Sequence, residues 1–393
     1  MRAGELLHIT STGGLQFTAG TFAIPFSWMR QSKVSNPTAM VFDTIGTGII
    51  LPAAAYGSNA SYQSTMADVN RDGRQDLIYR YHIGGGATNI LVYIRNANGS
   101  FASPVTYTNS QSYSGLIGTP DLNNDGYPDL VISHNLPSNI QVRLNNGAGG
   151  FGPAVLYGVT SFCNGAKIAD IDSDGDLDII AYAGNSSLSL NTFSILKNNG
   201  NGTFATQITT NTSVFGSSCQ MVDFDNDGDL DILYTSNSAF TSPKIFRVYR
   251  NNGTGIFDLY HNEVNNSEKS LASCFDYNED GITDIITRNP NTEIHLANTT
   301  LSYTLNTPTV LDAQDSWTLT GDLDGDGDLD IISSNRYNGS NWNTLPMKLY
   351  LNNGNGTFVT TTTAMVLPQI SPIDLTDYDS DGDLDHIYLN RAT

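Results

Sequence analysis

Seven short stretches of this chain set acidic and amide side chains at alternate positions and then close on one more aspartate. In GDLDGDGDLDII, Gly321 to Ile332, Asp322, Asp324 and Asp326 alternate, Gly327 follows and Asp330 ends the set. Adjacent carboxylates repel and resist burial, so they need a counter-charge. A hard cation supplies one: calcium takes about six to eight oxygen ligands, and calcium loops draw their first ligands from alternate positions beside a glycine turn. The spacing D-x-D-x-D-G-x-x-D stops at the ninth position and has no flanking helix signal, so it is not an EF-hand. For a single copy the alternative is an acidic, solvated turn.

The pattern recurs. Asp68, Asn70, Asp72, Gly73 and Asp76 form the first copy, and Asp121, Asn123, Asp125, Gly126 and Asp129 the second. The third is Asp170, Asp172, Asp174, Gly175 and Asp178; the fourth is Asp223, Asp225, Asp227, Gly228 and Asp231. Asp276, Asn278, Asp280, Gly281 and Asp284 make the fifth, the quoted stretch is the sixth, and Asp377, Asp379, Asp381, Gly382 and Asp385 make the seventh. Self-similarity with a period of roughly fifty residues predicts a repeat architecture, not the two or three domains that length alone suggests.

The elements around each loop are short and β-like. SSCQMVDF enters the fourth loop and LDILYTS leaves it; KIFRVYR, the turn NNGTG and IFDLYHNEV follow, which reads as four strands. The runs after the loops, such as LVIS and ILYT, are continuously apolar and fit strands buried on both faces. The NNGxGxF element recurs at Asn198–Phe204, Asn251–Phe257 and Asn352–Phe358, with looser forms ending at Phe101 and Phe151. Asn-Gly suits a hairpin turn, and the phenylalanine is expected to open the outer strand and pack between sheets. Asn201 and Asn252 head N-x-T sequons in these turns, where turn chemistry and glycan attachment are equally open readings.

Seven four-stranded units predict an all-β chain, a seven-bladed β-propeller. These loops, joined to NNGxGxF turns at this period, resemble FG-GAP/VCBS repeats, as in integrin α-subunit propellers, several lectins and bacterial surface proteins. The resemblance covers roughly residues 39 to 393. It implies one Ca²⁺ in each loop between the first and second strands of a blade, up to seven in all. The side chains named above would be its ligands, with the backbone carbonyls of Arg74, Tyr127, Asp176, Asp229, Ile282, Asp328 and Asp383 beside them.

The seventh unit ends after two strands, at DHIYLNRAT. Residues 39–56, AMVFDTIGTGIILPAAAY, have the strand–turn–strand pattern of the missing half, with IGTGI at the turn, so the last blade is expected to close with N-terminal strands. Residues 37–393 would then form the propeller and 1–36 an extension of unknown role.

Composition limits function. A formal net charge of −21 over 393 residues, with no basic run, argues against nucleic acid. Seven bound Ca²⁺, at two charges each, would still leave the chain acidic. No apolar stretch reaches membrane-span length, and MRAGELLHITSTGG lacks the apolar core of a signal peptide. Cys163, Cys219 and Cys274 read as buried free thiols. The polar, charge-poor composition suits an extracellular or particle-surface module.

The connections away from the loops vary: 80–89, 183–192, 236–243 and 335–346. Variable loops on a rigid scaffold are where binding concentrates. Tyr81, His82, Phe240, Tyr337 and Trp342 lie there among Asn, Ser and Gly, and such aromatic platforms suit a glycan or a protein surface. Packing of each within its loop is the alternative. The six histidines, His8, His82, His134, His261, His295 and His386, form no metal pair and no H-E-x-x-H. A binding or adhesion module for glycan or a cell-surface protein is therefore expected, and not an enzyme. Two other readings stay open: a structural or receptor-binding part of a virus particle, and a polysaccharide lyase using His82 or His134 with a tyrosine.

Overall fold

A computed structural model describes residues 23–32, 41–52, 63–84, 87–109, 112–160, 163–183, 192–212, 218–236, 244–265, 270–288, 291–297, 309–312, 316–335, 348–362, 370–378 and 384–390. Among these residues the regular structure is all strand. Two N-terminal strands, β1 (Ala23–Ser32) and β2 (Val41–Pro52), precede the repeats. Six antiparallel four-stranded sheets then follow in sequence. The first is β3 (Gln63–Ala67), β4 (Asp76–Gly84), β5 (Ala87–Tyr93) and β6 (Val105–Asn109). The second is β7 (Ser112–Gly118), β8 (Leu130–Leu136), β9 (Ser138–Arg143) and β10 (Val155–Gly158). The third is β11 (Cys163–Ala169), β12 (Asp178–Ala183), β13 (Thr192–Leu196) and β14 (Ile208–Asn211).

The fourth is β15 (Ser218–Val222), β16 (Asp231–Ser236), β17 (Lys244–Asn251) and β18 (Phe257–Asn265). The fifth is β19 (Ser270–Phe275), β20 (Asp284–Arg288), β21 (Thr292–His295) and β22 (Thr309–Asp312). The sixth is β23 (Ser316–Gly321), β24 (Asp330–Asn335), β25 (Lys348–Asn352) and β26 (Phe358–Thr362). In all six, strands hydrogen-bond in sequence order, so each sheet is a meander whose first connection is an acidic loop.

The last two strands, β27 (Ile370–Thr376) and β28 (Asp385–Asn390), pair with each other, and β28 pairs with β1 from the other end of the chain. Trp28 stands opposite Ile387 and Met29 opposite His386, giving the order β27-β28-β1-β2. The N-terminal strands therefore join the last pair, as the sequence suggested, but with different residues. The segment 41–52 is one strand, with a shift of register rather than a hairpin turn at IGTGI, and it pairs with β1 on both sides of that shift. Its partner comes from 23–32, inside the segment expected to be an extension. Period-two patterning alone does not reveal which of two candidate strands stops at a turn. Residues 1–22 lie outside the described residues.

Successive sheets face one another through buried apolar layers. In the second to fifth sheets the strand after the loop alternates its side chains between two such layers. Ile179 packs with Val131 and Ile140 of the second sheet, while Ile180 packs with Ile232 and Tyr234 of the fourth. Ile285 and Ile286 divide in the same way between the fourth and sixth sheets. This is why these runs are apolar without alternation. The phenylalanines after the NNG turns enter the layers as expected. Phe151 lies edge-on to Tyr107 of the first sheet and Phe204 edge-on to Tyr157 of the second. First strands also touch in series, β3 with β7, β7 with β11, β11 with β15, β15 with β19, β19 with β23, β23 with β27, and β27 with β3.

Candidate metal centre

Each loop is shaped by its own backbone donors. Asp68 accepts from the Asp72 N–H at 3.0 Å and the Gly73 N–H at 2.7 Å. Asp121, Asp170, Asp223 and Asp276 repeat both bonds in their loops. The fifth position accepts from the seventh, as Asp72 does from the Arg74 N–H and Asp227 from the Asp229 N–H. The chain turns this tightly because two residues lie in the left-handed region. The glycine at position six has φ from 81° to 101° outside the first loop, where Gly73 has 82°. Position four is Arg71, Asn124, Ser173, Asn226 or Glu279 at φ 56° or 57°, a conformation that costs a non-glycine residue energy and persists where its surroundings hold it. The sixth loop has Gly325 there instead.

The closing aspartate is the buried anchor. Asp76, Asp129, Asp178, Asp231, Asp284, Asp330 and Asp385 are all fully buried. Asp178 takes the Ile171 N–H on one oxygen and the Asn198 N–H on the other, which joins the loop to the NNG turn on the same side of the sheet. Asp129 does so with Leu122 and Asn145, Asp231 with Phe224 and Asn251, and Asp330 with Leu323 and Asn352. Burial pushes these carboxyls up, to about 6 for Asp76, Asp129, Asp178, Asp231 and Asp284 and about 7 for Asp330, against the lowering effect of the two N–H donors. A bound cation would favour the ionised form of each.

In three loops carboxylate oxygens converge enough to share one ion. Asp170, Asp172 and Asp178 each offer an oxygen within 4.8 Å of the others, as do Asp223, Asp225 and Asp231, and Asp322, Asp324 and Asp330. Asp172 and Asp225 each keep a buried Oδ1 with no hydrogen-bond partner. A buried acceptor left this way costs free energy unless something fills its place, and an all-oxygen donor set fits a hard cation. In the first, second and fifth loops the third position is an amide. Asn70, Asn123 and Asn278 donate from Nδ2 to Asp72, Asp125 and Asp280 at 2.9, 2.9 and 3.1 Å, and Oδ1 of each, the side chain's one oxygen, accepts the N–H of the same aspartate at 3.1, 3.3 and 3.1 Å. In the seventh loop Asp379, Asp381 and Asp383 lie outside the described residues. Calcium bound in these loops would offset the carboxylate charge, and the loops' own backbone donors hold the oxygens in place for it.

The NNG asparagine has a role that turn chemistry did not reveal. Asn145 Nδ2 donates to the Val69 carbonyl at 2.8 Å, inside the acidic loop of the preceding sheet. Asn198 reaches Leu122, Asn251 reaches Ile171 and Asn352 reaches Tyr277, at 2.7, 2.7 and 2.8 Å. Each asparagine thus ties the loop of its own sheet to the loop of the one before. Arg95 stands at this place in the first sheet: its N–H meets Asp76, and its guanidinium donates to the Tyr378 carbonyl and lies 3.7 Å from the Tyr378 ring centroid. Ala297 stands there in the fifth sheet, giving only its N–H to Asp284. The interval from the closing aspartate to this asparagine is 16, 20, 20 and 22 residues in the second, third, fourth and sixth sheets, so spacing did not mark the tie. The sequon residues Asn201 and Asn252 each bond the N–H and hydroxyl of the threonine two residues on.

The FG-GAP-like repeat family matches residues 121–181, 170–234 and 322–388, each span running from one acidic loop to the next. The chain carries FG-GAP-like repeats in these spans. A search of curated proteins finds no match to its sequence. Among solved structures this chain is similar to an Agrocybe aegerita lectin that recognises non-reducing terminal N-acetylglucosamine. Identity is 17%, covering 95% of this chain and 96% of the lectin, with a TM-score of 0.55. At that identity the likeness is one of fold, a propeller-like all-β arrangement. The WD40 domain of Toxoplasma gondii coronin aligns over 87% of this chain and 89% of its own, at 10% identity and a TM-score of 0.46.

Of the residues expected to bind a ligand, Tyr81 is half-buried on β4, stacked on Tyr79 with ring centroids 5.9 Å apart, and its hydroxyl accepts from Asn89 at 3.1 Å. His82 follows it on β4. Phe240, Tyr337 and Trp342 lie outside the described residues. His134 is fully buried, with Nε2 2.9 Å from Gln141 Oε1, and His295 is buried with Nε2 2.8 Å from the Thr287 hydroxyl. Cys163 and Cys219 are buried and Cys274 half-buried, all three are free, and burial pushes each thiol up to about 12. Among the described residues no helix is long and apolar enough to cross a membrane.

Proposed function

We propose that this chain is a calcium-stabilised, closed seven-bladed propeller that works as a binding module for glycan outside the cell or on a particle surface. The observation that carries it is the loop set: oxygen donors at the same three positions in sheet after sheet, with an asparagine of the second, third, fourth and sixth sheets tied to the loop of the sheet before. Calcium in the loops would hold the blades in register, which leaves recognition to the opposite face. The series of first-strand contacts that returns from β27 to β3 supports the closed ring. The ring would include residues 23–32, with 1–22 preceding it. The fold likeness to a lectin, and the aromatics Tyr81, Phe240, Tyr337 and Trp342 among amides in the variable connections, support a glycan over a protein partner. The burial of His134 supports binding over catalysis. A glycan array that includes terminal N-acetylglucosamine, probed with wild type and Trp342→Ala, tests the reading. Retention by wild type and loss by the variant at an unchanged melting temperature is the expected result. No retained glycan, or depolymerisation of a polysaccharide by the same sample, contradicts it.

A further inference from the structure

Within the calcium reading above, on which this inference rests, the loops differ in one respect: how the charge at the third position is balanced. In the first, second and fifth loops that position is a neutral asparagine. In the third and fourth it is an aspartate, and each has a basic neighbour from the residue just before the NNG turn. Lys197 Nζ lies 2.9 Å from Asp172 Oδ2, and Arg250 Nε lies 2.6 Å from Asp225 Oδ2 with Nη2 2.8 Å from Asp227 Oδ2. The basic group takes the outer oxygen, and Oδ1 of the same aspartate is the buried atom without a partner. In the sixth loop Asp324 occupies this position and Leu351 stands where Lys197 and Arg250 do, so among the described residues no basic side chain pairs with Asp322, Asp324 or Asp330. The first loop differs again, because Arg74 pairs with Asp72 inside it.

We infer that the described loops are graded cation sites, with Lys197 and Arg250 as built-in counter-charges for the third and fourth and the loop at 322–330, where Asp324 has none, as the tightest. A cation entering the third or fourth loop meets a carboxylate already shared with an ammonium or guanidinium and is repelled by that group. One entering the sixth meets four carboxylates and, among the described residues, no basic side chain beside them, and the charge of the ligand set is what tunes calcium affinity. Oδ1 of Asp172 or Asp225 stays free of the basic group, so the basic residue weakens binding without blocking it.

Calcium alone, titrated into metal-freed protein against a chromophoric chelator, resolves the sites into affinity classes. Asp324→Asn should remove one site from the tightest class, weakening it roughly tenfold. Lys197→Met and Arg250→Met should each add one site to that class; two such variants guard against one failing to fold, which circular dichroism checks. The partly described seventh loop is common to all and cancels. A tightest class unchanged by Asp324→Asn, or reduced or unchanged by both methionine variants, overturns the ranking while leaving the calcium reading intact. No calcium uptake by wild type overturns that reading and the ranking with it.

Discussion

Asn198 Nδ2 and the Leu122 carbonyl lie 2.7 Å apart, although Asn198 sits in the NNG turn of the third sheet and Leu122 in the acidic loop of the second. The same asparagine donates its backbone N–H to Asp178 at 2.7 Å, so one residue holds the anchor of its own loop and the backbone of the loop before it. Asn198→Ala should leave the buried Leu122 carbonyl without this donor and cost about 1–3 kcal/mol. Asn199→Ala, next to it on the exposed side of the turn, should cost far less. Urea unfolding of the two variants decides this; equal losses would reduce Asn198 to ordinary turn chemistry.

Arg95 carries out the equivalent contact where the first sheet meets the Tyr378 loop. Arg95→Met removes the guanidinium donor and its stacking on the Tyr378 ring, and should lower the melting temperature more than Arg71→Met, whose guanidinium lies 5.3 Å from the Tyr127 ring centroid on the loop surface. Equal melts for both variants would mean that the contact across the chain ends adds nothing.

The pairing of β1 with β28 gives two deletions opposite outcomes. Removing 1–22 should leave a folded monomer. Removing 1–35 takes away β1 and frees the edge of β28, which should lower the melting temperature and promote association through that edge. Light scattering and a thermal melt on both deletions are sufficient. A longer deletion that stays monomeric and melts as wild type would contradict the pairing.

His134 gives a pH signature. Burial, and secondarily the charge of Arg80, hold its imidazole below the ordinary histidine range, against the raising effect of Gln141. The folded protein therefore refuses a proton that the unfolded chain accepts below its ordinary pKa of about 6.5. The contribution to stability is complete above that pH and is lost as pH falls through the folded value. Between pH 7 and 5, His134→Gln should lose less stability than wild type. Parallel pH curves would place the acid sensitivity elsewhere.

Much of this was legible in the sequence because the repeats are locally determined. The period, the loops and the apolar runs such as Ile179–Ile180 each follow from short-range patterning, and the sheets appear where those patterns place them. The closing strands were legible only in outline. Residues 39–56 read as strand–turn–strand, and the contact that makes 41–52 one strand is with β1, which no local pattern specifies. The asparagine tie was hidden for the same reason: Asn145 and Val69 are 76 residues apart, and an NNG triplet already has a sufficient local explanation. The counter-charges Lys197 and Arg250 were equally opaque, since a basic residue before a turn signals nothing until its aspartate is seen beside it.

The central claim is that cations in the acidic loops hold the sheets together. The direct test is a thermal melt of the same sample before chelation, after chelation with metal content measured, and after calcium is returned. Each loop at a hundredfold excess of calcium over Kd would contribute roughly 2.7 kcal/mol. The account predicts several bound ions per chain, a markedly lower melting temperature once they are removed, and full recovery with calcium. An unchanged melt after verified metal removal would contradict it.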